Sequence, residues 1–89
     1  MAQYVHISFN FDGATKINEL LPTFNHALDW VRYAPNCWIV WTTSSAEKWY
    51  DRLKPHLTDN DHMLIVTLNL QDYSGWLPKW VLDWISEKR

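Results

Sequence analysis

His6, Ser8, Asn10 and Asp12 alternate along one extended segment, so an imidazole, a hydroxyl, an amide and a carboxylate share one face. Such a row makes a site if two copies of it meet across a dimer axis. It makes a solvated sheet rim if they do not, which is routine for a half-polar strand. The other chemistry-bearing residues are scattered. His6, His26, His56 and His62 show neither His-Glu-x-x-His nor a Cys/His zinc spacing. Serines and histidines for a triad are present without any arrangement that marks one. Only Gly13 and Gly75 are available, so a glycine-rich phosphate cradle is excluded. Lys48 and Arg52, four residues apart, suit an anion contact or simply a solvated helix face.

The polar row needs a strand to carry it. Over residues 4–11, Val5, Ile7, Phe9 and Phe11 alternate with Tyr4, His6, Ser8 and Asn10, a period of two. Asp12-Gly13 is a turn signal. Ile17, Leu20, Leu21, Phe24 and Leu28 recur at helical spacing and predict a helix over 15–28. Pro22 inside it predicts a kink or a late start. Segments 29–33 and 36–43 predict a hairpin around Ala34-Pro35-Asn36. Ser44-x-x-Glu47 has the form of a capping box opening a second helix, with Ala46, Trp49, Tyr50, Leu53 and Leu57 as its apolar stripe. Pro55 and Thr58-Asp59-Asn60-Asp61 end it. Residues 62–69 predict a last strand. Residues 76–88 predict a last helix with Pro78 in its first turn and a stripe of Leu77, Trp80, Val81, Trp84 and Ile85.

The order β-α-β-β-α-β, followed by a helix, predicts an α+β, ferredoxin-like fold. Two helices would lie on one face of a four-stranded antiparallel sheet. The 89 residues make one domain, with a core over 1–70 and a C-terminal loop and helix over 71–89.

Seven tryptophans stand in this short chain: Trp30, Trp38, Trp41, Trp49, Trp76, Trp80 and Trp84. A buried indole removes roughly 150–250 Å² from water, enough to help so small a domain hold a core. The single Cys37 excludes an intramolecular disulfide and reads as a small hydrophobe within an apolar strand. Net charge is −2, from eight Lys and Arg against ten interspersed Asp and Glu. That balance argues against strong phosphate binding, which needs a basic patch. No leader-like start and no run of the ~20 apolar residues a membrane span needs is visible, so a cytoplasmic protein without membrane contact is expected.

The inner strands carry the assembly argument. Cys37-Trp38-Ile39-Val40-Trp41 and Met63-Leu64-Ile65-Val66 do not alternate, so both faces of the sheet are apolar. Two helices cover one face only. The last helix, a second copy of the chain, or both must cover the other. Burying Trp76, Trp80 and Trp84 would remove about 500 Å², roughly 12 kcal/mol before entropy is subtracted. A homodimer with an ordered tail is therefore expected.

Trp30 ahead of a short turn, Asn36-Cys37-Trp38-Ile39-Val40, Ser45-Ala46-Glu47 and Asp51-Arg52-Leu53-Lys54-Pro55-His56-Leu57 together resemble small bacterial CRISPR-associated-protein-two-like proteins, some of them labelled SinR family. So do Asp59-Asn60-Asp61 and Asp72-Tyr73-Ser74-Gly75-Trp76-Leu77-Pro78, and the resemblance spans nearly the whole chain. It implies a ferredoxin-like dimer. Some relatives are metal-dependent nucleases, including virulence-associated toxins; others are structural partners in spacer integration. The family's metal-binding aspartate ends the first strand in a Ser-Tyr-Asp pattern. The matching residues here are Ser8-Phe9-Asn10, and a neutral amide is a poor ligand for a hard divalent cation.

The sequence thus predicts a non-enzymatic, homodimeric interaction module without a resident cofactor, and the resemblance implies a phage-defence or toxin–antitoxin setting for it. Its contact residues would be Trp76, Trp80, Trp84, Lys48 and Arg52, with an unidentified protein as a further partner. One alternative is an endoribonuclease using Mg²⁺ or Mn²⁺ at Asn10, Asp12 or Ser8, with Asp12 as metal ligand. Another is nucleic-acid binding without cleavage.

Overall fold

The computed structural model describes residues 1–13 and 17–88. Four strands and three helices follow in the order β1 (Gln3–Asn10), α1 (Ile17–Phe24), β2 (Asp29–Ala34), β3 (Cys37–Thr42), α2 (Ala46–Leu53), β4 (His62–Thr67) and α3 (Lys79–Lys88), with one 3₁₀ turn at Lys54–His56. The sheet is antiparallel throughout, in the order β2-β3-β1-β4. The central strands are β1 and β3. They pair with Val5 opposite Val40 and Ile7 opposite Trp38. β4 pairs with the other side of β1, with His6 opposite Val66 and Asn10 opposite His62.

Alternation in β1 sorts the side chains as its sequence predicts. Val5, Ile7 and Phe9 enter one core with Trp38 and Val40 of β3, Leu20 and Phe24 of α1, and Trp49 and Leu53 of α2. Phe24 stacks on Trp38 at 4.7 Å between ring centroids, and Phe9 meets the same indole edge-on at 5.5 Å. Offset-stacked and edge-on pairs are the favoured aromatic geometries. Trp49 lies flat beside Phe24 at 6.0 Å and donates its ring N–H to Thr42 Oγ1 at 3.2 Å.

α3 covers part of the opposite face. Val81 and Ile85 pack against Tyr4 and Ile39, with Val31, Tyr33, Trp41, Leu77 and Trp84 around them. The Tyr4 ring lies 4.7 Å from Trp41 and 5.6 Å from Trp84. Its hydroxyl donates to the carbonyl of Ile85. That carbonyl sits in the last turn of α3, where helical carbonyls take donors from outside the helix. Trp84 donates its ring N–H to Asp29 Oδ2 at 3.0 Å, and Lys88 pairs with the same oxygen at 2.8 Å. The lysine, the indole and the Trp30 N–H hold the Asp29 carboxyl below its usual pKa. The helix is thereby latched to the start of β2.

Several boundaries and faces differ from the sequence expectation. α1 ends at Phe24, because Asn25, His26 and Ala27 donate back three residues, to Pro22, Thr23 and Phe24. Leu28 is consequently solvent-exposed, outside the apolar stripe. Thr15 and Lys16, the expected start of that helix, lie outside the described residues. The N-cap of α2 is Ser45, not Ser44: Ser45 Oγ accepts from the Lys48 N–H at 3.1 Å. Tyr50 is exposed on α2's outer side. α3 begins at Lys79, so Trp76 precedes it and stands fully in water, while Trp80 is half exposed. Of the three tail indoles expected to be buried, only Trp84 packs against the sheet.

The tryptophans therefore divide by energetic role. Trp38→Ala or Trp49→Ala should cost about 3–5 kcal/mol, as for other buried aromatics, a large part of the ~5–15 kcal/mol that holds a typical domain. Trp76→Ala should stay within about 0.5 kcal/mol. Urea unfolding midpoints read the difference.

Candidate functional site

α3 lies over the Tyr4, Ile39 and Val31 side of the second sheet face and stops short of its far corner. That corner is built by the ends of β1 and β4, where Ser8 faces Leu64 and Asn10 faces His62 across the ladder. Ser8, Phe9, Asn10, His62, Met63 and Leu64 line a shallow hollow of about 260 Å³ there. Leu64 is 61% exposed and Val66 43% exposed on the same side. β1 brings Ser8 and Asn10 beside Phe9, and β4 brings His62 beside Met63 and Leu64, so it is a mixed, open surface.

A second, deeper cavity of about 300 Å³ runs under the edge of α3 and the loop before it. Tyr73, Leu77, Ile85, Leu68 and Ile39 form its apolar wall, and His6 and Tyr33 its polar floor. His6 Nε2 hydrogen-bonds the Tyr33 hydroxyl. Burial pulls the imidazole's pKa below its ordinary value, so the neutral ring is favoured. Tyr33 is pushed up to about 12, first by burial and then by its neighbour Cys37, with which it also shares a hydrogen bond. Cys37 is half-buried and part of this polar chain, not the buried hydrophobe that its apolar flanks imply.

The row His6, Ser8, Asn10 does share one face, as its alternation predicts, but its members do different things. His6 is held in the deeper cavity. Ser8 and Asn10 border the open hollow. Asp12 lies beyond the strand end; it is exposed, and its backbone N–H donates to Asp61 Oδ1 at 2.8 Å. Asp61 also accepts from the Thr58 N–H and hydroxyl, at 2.8 and 3.2 Å. The Asp59-Asn60-Asp61 segment thus ties the loop before β4 to the end of β1. Among the described residues no three His, Cys, Asp or Glu side chains come together as a metal site.

The contact residues expected from sequence are spread over separate surfaces. Lys48 is exposed on α2, across the sheet from the hollow. Arg52 is a brace: it donates to Ser44 Oγ at 3.0 Å and lies 4.9 Å over the Trp49 ring. Trp76 and Trp80 are open to solvent near α3, and Trp84 is a packing residue. Leu64, Val66, His62 and Tyr33 were legible only as strand residues. The uncharged run from His62 to Leu68 was the available signal, because an unpartnered strand of that kind is unusual.

Comparison with protein-family models, curated proteins and solved structures finds no match. No helix among the described residues is long and apolar enough to cross a membrane.

The buried imidazole has a pH signature. Its folded pKa lies below the unfolded value of 6.5, so protonation favours the unfolded chain. His6 should leave stability untouched above pH 6.5 and remove it as pH falls from there through the folded pKa. Melting temperature should therefore drop across that window in the native chain. His6→Gln should flatten the drop. An unchanged slope would mean that His6 is not desolvated.

Proposed function

We propose that this chain is a homodimeric, non-catalytic interaction module with the ferredoxin-like arrangement that the CRISPR-associated-protein-two-like resemblance implies. The order β2-β3-β1-β4, with α1 and α2 together on one side, supports that arrangement. One observation carries the functional reading: α3 dries only part of the second sheet face and leaves Leu64 and Val66 in water on a strand that forms one border of the sheet. Apolar side chains grouped on a regular element, rimmed by Ser8, Asn10 and His62, have the composition of a contact surface. A second copy of the chain brings the same surface and needs no other partner to satisfy it.

The residues near the hollow fit contact better than catalysis. Ser8 and Asn10 offer a hydroxyl and an amide. Asp12 stands off the strand, with its backbone engaged by Asp61. A protein partner in a phage-defence or toxin–antitoxin setting would meet the dimer, not the single chain.

Sedimentation velocity at micromolar concentration should give a species of twice the chain mass. A single chain-mass species across that range would overturn the reading. Incubation with single- and double-stranded RNA and DNA in Mg²⁺ or Mn²⁺ should give no cleavage. Cleavage that Asp12→Ala abolishes would replace the module with the nuclease.

A further inference from the structure

We infer that the second copy joins edge to edge: β4 pairs antiparallel with β4 of its partner about a two-fold axis at Ile65, making one continuous eight-stranded sheet. This rests on the homodimer reading and adds its geometry.

The two borders of the sheet differ. β2 is protected in the ways that keep sheet edges from pairing. It carries Asp29 and Arg32, its register with β3 slips between Arg32 and Ala34, and Pro35 follows it. Trp84 and Lys88 of α3 occupy its first residue. β4 has none of these devices. His62-Met63-Leu64-Ile65-Val66-Thr67 contains no proline and no Asp, Glu, Lys or Arg, and its register with β1 is unbroken.

Hydrogen-bond phase tells which backbone groups of β4 are free to pair. Leu68 N–H donates to the Tyr4 carbonyl at 3.0 Å. In an antiparallel ladder, bonded pairs alternate, so Val66, Leu64 and His62 bond to β1 as well. The N–H and C=O groups of Met63, Ile65 and Thr67 therefore point away from β1. Among the described residues, no backbone bond from a turn, loop or cap reaches these three. Buried or not, such groups are the template for strand addition.

The same phase makes the strand self-complementary. With Ile65 opposite its own copy, Met63 falls opposite Thr67, and about six main-chain bonds form across the axis. Leu64 then stands directly opposite Val66 of the partner, and Val66 opposite Leu64. These are the two large apolar β4 side chains left exposed on the uncovered face, beside the exposed His62. Non-hydrogen-bonded pairs bring side chains closest, so each copy covers the other's apolar pair. Like charges do not meet along the seam, since the strand has none.

Cross-linking tests the register. Full-length chains carrying Cys37→Ser with either Leu64→Cys or Val66→Cys are mixed and oxidised with glutathione disulfide. The mixture should give a disulfide-linked dimer joining position 64 to position 66. Either protein alone should give far less, because identical positions are offset by two residues across the axis, a diagonal of about 7–8 Å at or beyond the ~7 Å Cα reach of a disulfide. In parallel, Leu64→Lys should keep the chain's folded circular dichroism spectrum and raise the dimer dissociation constant at least tenfold, lowering the melting temperature only as far as the lost association requires. Leu82→Lys, on the outer side of α3, should leave it unchanged. A dimer that persists without the mixed cross-link, or that survives Leu64→Lys, overturns the edge pairing while the homodimer reading stands. A chain that is monomeric under all conditions overturns both.

Discussion

Tyr4 is the joint on which this small domain turns. It sits on the first strand, in the middle of the sheet, at 2% exposure. Its ring fills the space between Trp41 of β3 and Trp84 of α3, and its hydroxyl closes on the Ile85 carbonyl. Without α3, an aromatic ring and the neighbouring Ile39 would face water on the far side of two strands whose near side already holds Trp38 and Val40. β3 is apolar front and back and Tyr4 lies beside it, so this part of the sheet has to be covered twice, and this contact is where the second cover is fastened.

That constraint explains the division of labour along the chain. α1 and α2 seal the face bearing Val5, Ile7, Trp38 and Val40, with stacked rings at the centre. α3 has ten residues, and at about 1.5 Å per residue it spans only ~15 Å. It reaches across β1, β3 and β2 at the Tyr4 end, fixed there by Asp29, and leaves β4 bare. The open corner, with Leu64, Val66, Ser8 and Asn10, follows from a short helix meeting a two-faced sheet. The exposed apolar corner, the surface proposed for contact, is thus a consequence of the same apolar pattern that builds the core.

Much of this was written in residue order. The alternation of β1 named its inward residues correctly, and the non-alternating run of β3 announced the second face that α3 covers; β4, expected to be an inner strand, is instead a border strand whose Leu64 and Val66 stay in water. The hairpin at Pro35-Asn36 and the helix stop near Pro55 were equally readable from turn chemistry. The tail tryptophans misled for a geometric reason. Trp76, Trp80 and Trp84 share a spacing of four, but the helix starts at Lys79, so Trp76 is not on its surface at all. At about 100° per residue, Trp80 lies roughly 120° from the stripe centred on Val81 and Ile85. Ser44 and Ser45 are both competent caps, and only the loop geometry after Thr42 chooses between them. The pairing of Asn10 with His62, and of His6 with Tyr33, depends on register and on a bulge that no local pattern encodes. Those pairings decide which polar groups lie in the cavity and which border open water.

Amide hydrogen exchange at Ile85 and Val81 tests the central claim most directly. If α3 is an integral cover for the second face, these amides should exchange only through the same global opening as those of Val40 and Ile7 in the central strands. Their exchange free energies should then match those of the central strands and fall together in mild denaturant. Fast exchange of α3 beside a fully protected sheet would show that the face is stable uncovered, and would contradict the account.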